Sequence, residues 1–261
     1  MKNVTLLILE KRKSYGERLA AFLGRQAYSP FNIQLYLEHP ISDEKWKKAD
    51  LVLKDARIVN VFTEEIIRGD IAIQDGIIAG IGSFHGKEER DLAGRYVCPG
   101  FIDSHLHLES TLVTPAELVT VASRHGTTTF IVDPHESANV SGLAGIDYIL
   151  DQTEDVKANV YVMMPSCVPA TAIDDNGCTL TAEDMAPYLH NSRILGLGEV
   201  MDSISVVQGD KTMHDKLELF EGRIRDGHAP FLEEGDLQAY AMAGIATDHE
   251  CSFFDYAMRE R

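Results

Sequence analysis

His105 and His107 lie two residues apart in Phe101-Ile-Asp-Ser-His-Leu-His-Leu-Glu109, an apolar run directly after Cys98-Pro99-Gly100. Side chains alternate along a strand, so residues i and i+2 share a face. Both imidazoles then point to one side, where a metal ion takes two nitrogens at about 2.1 Å. Asp103 and Glu109 have the same parity and extend that face. The pair alone is equally compatible with a solvated strand end. More metal-capable residues, however, close other apolar runs: Asp133-Pro-His135-Glu136, Glu199 after Ile194-Leu-Gly-Leu-Gly198, Asp226-Gly-His228 and Asp248-His249-Glu250. Each has an ordinary reading by itself. Glu199 could pair with Arg193, His228 could be a turn residue, and His249 could cap a strand. His105, His107, Glu199, His228 and His249 together supply four imidazoles and a carboxylate, enough for two divalent ions sharing one ligand. Such a pair generates hydroxide at neutral pH and polarises the bond under attack.

The elements that must position these residues follow from pattern. After Pro99-Gly100, candidate strands at 101–107, 128–133, 160–166, 194–200, 223–228 and 244–248 alternate with candidate helices. The helices expected are Pro115–Arg124, Gly142–Gln152, Thr181–Leu189, Met213–Glu221 and Glu233–Ala243. Strands recurring with helices between them indicate parallel β/α architecture, whose functional residues collect at the C-terminal ends of the strands. Between Ala49 and Val97 the pattern changes to short β runs, with Asp75-Gly76 as a type I′ hairpin signal, and predicts a small antiparallel sheet. Residues 1–50 are mixed, with an amphipathic helix expected over Lys11–Arg25. The domains expected are thus 1–50, a small β-sandwich-like domain at 51–97, and the β/α region at 98–261.

The chain of 261 residues has a formal charge of −17, which repels phosphate backbones and argues against a nucleic-acid partner. Four dispersed cysteines without Cys-x-x-Cys suggest neither a disulfide framework nor a zinc knuckle, and fit a cytoplasmic setting. No apolar stretch reaches 18 residues, so no membrane span is expected.

Pro99-Gly-Phe-Ile-Asp-Ser-His-Leu-His107 resembles the strand-one signature of the amidohydrolase superfamily. More narrowly, His105-Leu-His-Leu-Glu-Ser110, Val132-Asp-Pro-His-Glu136, Ser166-Cys-Val-Pro-Ala170, Gly198-Glu-Val-Met-Asp202, Asp226-Gly-His-Ala-Pro230 and Asp248-His-Glu250 resemble the adenine deaminases, in the same order. The resemblance implies a (β/α)8 TIM-type barrel, here about six of eight units, with a small N-terminal β-domain. It implies that His105 and His107 bind one metal, that Glu199 bridges, and that His228 and His249 bind the other. The bridging glutamate, where most of the superfamily has a carboxylated lysine, separates this reading from dihydroorotase-like ones. The cofactor implied is a binuclear divalent centre of Mn2+ or Fe2+, with Zn2+ as an alternative. The substrate implied is adenine, attacked at C6 by the bridging hydroxide to give hypoxanthine and ammonia, in purine salvage. Glu109 and His135 are candidates for moving protons or holding the purine.

The chain departs from that family in ending at Arg261, after the sixth candidate strand. The family's last two barrel strands, and the strand-eight aspartate that binds metal and moves the proton, are not in it. A homo-oligomer, or dependence on a complementing C-terminal chain, is the expectation. Phe231-Leu-Glu-Glu-Gly235 also stands where relatives carry a Gly-rich loop. Two other readings stay open: a non-catalytic remnant binding metal through Glu199, His228 and His249, and another amidohydrolase activity.

Overall fold

The computed structural model describes residues 8–10, 35–37, 49–171, 173–230 and 232–260. The helix expected over Lys11–Arg25 and the substitution at Phe231 lie outside the described residues. Two compact units divide at Pro99/Gly100.

In the first unit, β1 (Ile8–Glu10) and β2 (Leu35–Leu37) form a parallel pair. A separate sheet holds β3 (Ala49–Asn60), β4 (Glu65–Gln74), β5 (Ile77–Gly82), β6 (Gly86–Asp91) and β7 (Tyr96–Val97). The expected antiparallel sheet needs correction. β3–β4 and β4–β5 are antiparallel, but β6 and β7 pair with β3 in parallel, so the sheet is mixed. Of the short β runs expected, residues 51–53 and 56–60 belong to one strand, β3, broken by a register shift between Leu53 and Ala56, with Asp55 at φ +50. Asp75 and Gly76 both have positive φ, +53 and +78, which a type I′ hairpin requires. Ala56, Ile58 and Ile71 form a small core against Leu53, Ile73 and Ile81.

The second unit carries one parallel sheet in sequential order: β8 (Phe101–Leu106), β9 (Thr127–Val132), β10 (Asn159–Pro165), β11 (Ile194–Val200), β12 (Ile224–Gly227) and β13 (Thr247–Asp248). The helices are α1 (Pro115–Ser123), α2 (His135–Ser141), α3 (Leu143–Gln152), α4 (Ala182–Met185), α5 (Ser203–Gln208), α6 (Lys211–Leu219), α7 (Glu234–Met242) and α8 (Phe254–Glu260). Every residue of β11 is buried, which is why it reads as a nearly continuous apolar run. Gly196 in it is required by close approach: a Cβ there would lie 2.1 Å from the Ile224 carbonyl oxygen. Phe130, Ile146, Ile149, Met164, Leu197 and Phe220 fill the space between sheet and helices.

Local chemistry sets the helix ends. Asp202 and Asp210 cap α5 and α6 by accepting the N–H groups of Ser205 and Met213. The helix expected at 181–189 is instead a one-turn α-helix with a Thr181/Asp184 capping box, continued as a 3-10 segment at Ala186–His190. Pro187 lacks the amide hydrogen that an α-helix would need there. Two arginines tie the N-terminal ends of the strands. Arg193 donates to the carbonyls of Val160 and Leu150, and Arg223 to those of Ile194 and Leu189. Among the described residues, no helix is long and apolar enough to cross a membrane.

Candidate metal centre

Five of the six parallel strands deliver a side chain to one cluster at their C-terminal ends. His105 and His107 come from the end of β8, His135 from just beyond β9, Glu199 from β11, His228 from just beyond β12 and His249 from just beyond β13. Glu199 is at the centre, its side chain only 6% exposed. Its Oε1 lies 3.0 Å from His228 Nδ1, 3.2 Å from His249 Nε2 and 3.8 Å from His105 Nε2. Its Oε2 lies 2.7 Å from His135 Nδ1 and 3.8 Å from His107 Nε2. One carboxylate thus serves two groups of imidazoles, one on each oxygen.

The hydrogen bonds around the rings decide which nitrogens are free. His107 Nδ1 lies 2.7 Å from the backbone carbonyl of Asp133, which can only accept, so Nδ1 carries the hydrogen and Nε2 presents a lone pair. That lone pair faces His105 Nε2 at 3.0 Å. On the other side, His249 Nδ1 lies 3.0 Å from Asp226 Oδ2, so its Nε2 is the nitrogen turned toward Glu199. Asp226 Oδ2 also stands 3.6 Å from His105 Nδ1, and the rings of His105 and His249 stack at 3.6 Å. Thr247 donates its hydroxyl to the remaining Asp226 oxygen.

The electrostatics call for positive charge. Burial would push the Glu199 carboxyl up, but His135, His228 and His249 outweigh it and hold it far below the usual carboxylate range. Asp226 is likewise depressed, with His105 and His249 overcoming its burial. Burial would lower His249, yet Asp226 and Glu199 raise it to about 10. Perturbed groups gathered in one cleft mark a candidate functional site.

Three ligand groups lie within coordinating reach of a single ion: His105/His107/Glu199, Glu199/His228/His249 and His105/Asp226/His249. A fourth, Asp133/His135/Glu199, adjoins them. Buried atoms here lack hydrogen-bond partners: both carboxylate oxygens of Asp133, Nδ1 of His135 and Oε2 of Glu199. The last two converge at 2.7 Å without hydrogen-bonding geometry. A nitrogen and oxygen donor set with unsatisfied buried atoms fits a divalent cation.

The structure brings together all five residues expected as metal ligands, and His135 with them. Glu109 belongs to none of these ligand groups, although His107 lies within electrostatic reach of it. Its Oε1 accepts the Ser137 N–H at 3.2 Å, and it lines a surface groove of about 480 Å³ with Glu136, Val140 and Tyr148. Sequence reading missed Asp226 as a partner of both His105 and His249. The only signal was its place two residues before His228, on the same strand face. It also missed α2, because His135-Glu136 directly follows Pro134 and reads as a loop end.

The amidohydrolase family model matches residues 96–260. The adenine deaminase of Desulfitobacterium hafniense is 59% identical over 214 residues, covering 82% of this chain and 38% of that protein. The adenine deaminase of Clostridium acetobutylicum is 50% identical over 208 residues, covering 79% of this chain and 36% of that protein. The chain thus spans less than two fifths of the length of these curated relatives. Among solved structures, the N-acyl-D-glutamate deacylase from Bordetella bronchiseptica aligns with a TM-score of 0.53 at 18% identity, covering 77% of this chain and 50% of that one. At that identity the likeness concerns the fold.

Proposed function

Since this chain belongs to the amidohydrolase family, we propose that it carries the metal centre of a hydrolase converting adenine and water to hypoxanthine and ammonia. The observation that carries the reading is the shared Glu199 carboxylate, with imidazoles gathered on each of its oxygens. The 59% identity to a protein named adenine deaminase supports the substrate. His105 and His107 would hold one ion, His228 and His249 the other, and Glu199 both. Mn2+ or Fe2+ suits this nitrogen and carboxylate set, and Zn2+ does equally, since availability often decides. When bound, the ions lower the pKa of water and stabilise the charge that develops on attack.

The rest is the work of side chains. Asp133 holds His107 through its carbonyl, and Asp226 holds His249, so each ring turns its Nε2 toward the centre. Hydrolysis forms a C6–O bond and breaks the C6–N bond, and the nitrogen must leave as ammonia rather than as amide ion. To His135, whose Nδ1 stands beside Glu199 Oε2, we assign the role of moving a proton toward that nitrogen. We assign Glu109 to ordering the start of α2 through Ser137, outside the chemistry. The four cysteines are dispersed with no Cys-x-x-Cys pair, which suits a cytoplasmic role in purine salvage. A second copy, or a chain supplying further strands, is a partner consistent with β8 and β13 each pairing on one side only among the described residues.

The test is conversion of adenine to hypoxanthine by the 261-residue chain loaded with Mn2+, with ammonia release as a cross-check. Turnover that disappears in His105→Ala and Glu199→Ala is expected. A folded, metal-loaded chain without turnover overturns the deaminase reading for this chain.

A further inference from the structure

Glu199 has a backbone φ of +31°, a conformation that side chains other than glycine rarely adopt. It sits in a register irregularity. Leu197 pairs with Arg225 and Val200 with Gly227, so β11 spends one more residue than β12 between those points. Bulges of this kind re-aim a side chain, and something must hold them.

Two helices provide the hold, from opposite sides. Lys216 of α6 is 7% exposed, and its Nζ donates to the Ser166 carbonyl at 2.7 Å. Ser166 in turn donates its hydroxyl to the Glu199 carbonyl at 2.9 Å. From the β12 side, Tyr240 of α7 is 3% exposed and donates its hydroxyl to the Val200 carbonyl at 2.5 Å. The same hydroxyl accepts the His228 N–H at 3.1 Å, so it links the residue after Glu199 to a second candidate ligand. No carboxylate forms an ion pair with Lys216 among the described residues, so its buried charge is spent on a backbone carbonyl. Neither side chain belongs to the histidine cluster.

We propose that Lys216, acting through Ser166, and Tyr240 are positioning residues that latch the Glu199 turn, and that metal affinity depends on both. The inference rests on the metal-centre reading given above. With either latch removed, the turn relaxes toward an ordinary φ, and the carboxylate moves relative to His228 and His249. Outer contacts of this type commonly change metal affinity ten- to hundredfold.

The experiment compares the wild-type chain with Tyr240→Phe, Lys216→Met, Ser166→Ala and Lys216→Met/Ser166→Ala. Mn2+ affinity is read by competition with a chromophoric chelator, coordination geometry by the visible spectrum of the Co2+-loaded protein, and folding by circular dichroism. Tyr240→Phe and Lys216→Met should each weaken Mn2+ binding about tenfold or more and change the Co2+ spectrum. Lys216→Met and Ser166→Ala should combine non-additively, because they break one chain of hydrogen bonds. Folded variants with lower melting temperatures, wild-type affinity within twofold and an unchanged spectrum overturn the latch while leaving the metal centre standing. A folded wild-type chain that binds neither Mn2+ nor Co2+ overturns the metal-centre reading and the latch with it. If Tyr240→Phe or Lys216→Met does not fold, Ser166→Ala, which removes one hydroxyl, decides by the same criteria.

Discussion

Asp226 Oδ2 stands 3.0 Å from His249 Nδ1, and this contact settles which nitrogen His249 turns toward Glu199. The pairing of Asp226 opposite Thr247 in the β12–β13 register makes it available. Asp226→Ala should therefore leave the fold intact and weaken metal binding by about ten- to hundredfold. A competition titration with Mn2+ measures it. Wild-type affinity in a folded Asp226→Ala chain would show that the carboxylate does not orient the ring.

Gly198 has no room for a side chain. A Cβ there would meet Asp133 Oδ2 at 2.0 Å and Met163 Cβ at 2.8 Å, both in the buried interior. Gly198→Ala should cost about 1–3 kcal/mol of stability through overpacking. It should also disturb metal binding, since the displaced atoms flank Glu199. Urea denaturation checks the first effect, and an unchanged midpoint would contradict the packing described.

Metal removal should lower thermal stability. An ion bound only by the folded chain contributes about 2.7 kcal/mol at a free concentration a hundred times its dissociation constant. Melting curves with excess Mn2+ and with EDTA should separate for the wild type and coincide for Glu199→Ala. Coincident wild-type curves would count against a folded-state metal site.

In the N-terminal sheet, Asp70 accepts from Lys54 Nζ at 2.5 Å and from the N–H groups of Asp55 and Phe84. Burial would raise the Asp70 carboxyl, but these donors outweigh it and hold it below its ordinary value of 3.8. The hydrogen bond to Asp70 holds Lys54 above 10.5. A depressed carboxyl contributes stability that is complete above its unfolded pKa and is lost as pH falls through the folded one. A raised amine contributes stability that is complete below its unfolded pKa and is lost as pH rises through the folded one. The stability difference between wild type and Asp70→Asn should thus be constant between about pH 5 and 9 and shrink beyond each end. Melting temperatures measured from pH 3 to 11 decide it. A difference that persists undiminished at pH 3 would contradict the assignment.

The alternating β/α rhythm was legible because buried parallel strands write apolar runs, and the strand ends stand out where His105, Glu199, His228 and His249 interrupt them. β13 was overread: residues 244–248 were expected, but only Thr247–Asp248 pair. Gly244 at φ +87 belongs to the turn that precedes them. The mixed sheet was missed because parallel pairing of β6 and β7 with β3 leaves no local mark in Gly86–Asp91 or Tyr96–Val97. Lys216 and Tyr240 were invisible for another reason. Both occupy ordinary inward positions of helices, and only the tertiary fold shows that their polar ends reach the backbone at Glu199 and Val200. Asp226 needed the β12–β13 register to be recognised.

In the proposed centre Glu199 would be shared by two metal ions, one held by His105 and His107 and the other by His228 and His249. Metal stoichiometry of the purified chain, measured by mass spectrometry of the bound element after Mn2+ loading and desalting, tests it most directly. About two equivalents per wild-type chain, falling to one or none in Glu199→Ala, is the predicted result. A wild-type chain that retains no more than one ion, or a Glu199→Ala chain that still retains two, would contradict it.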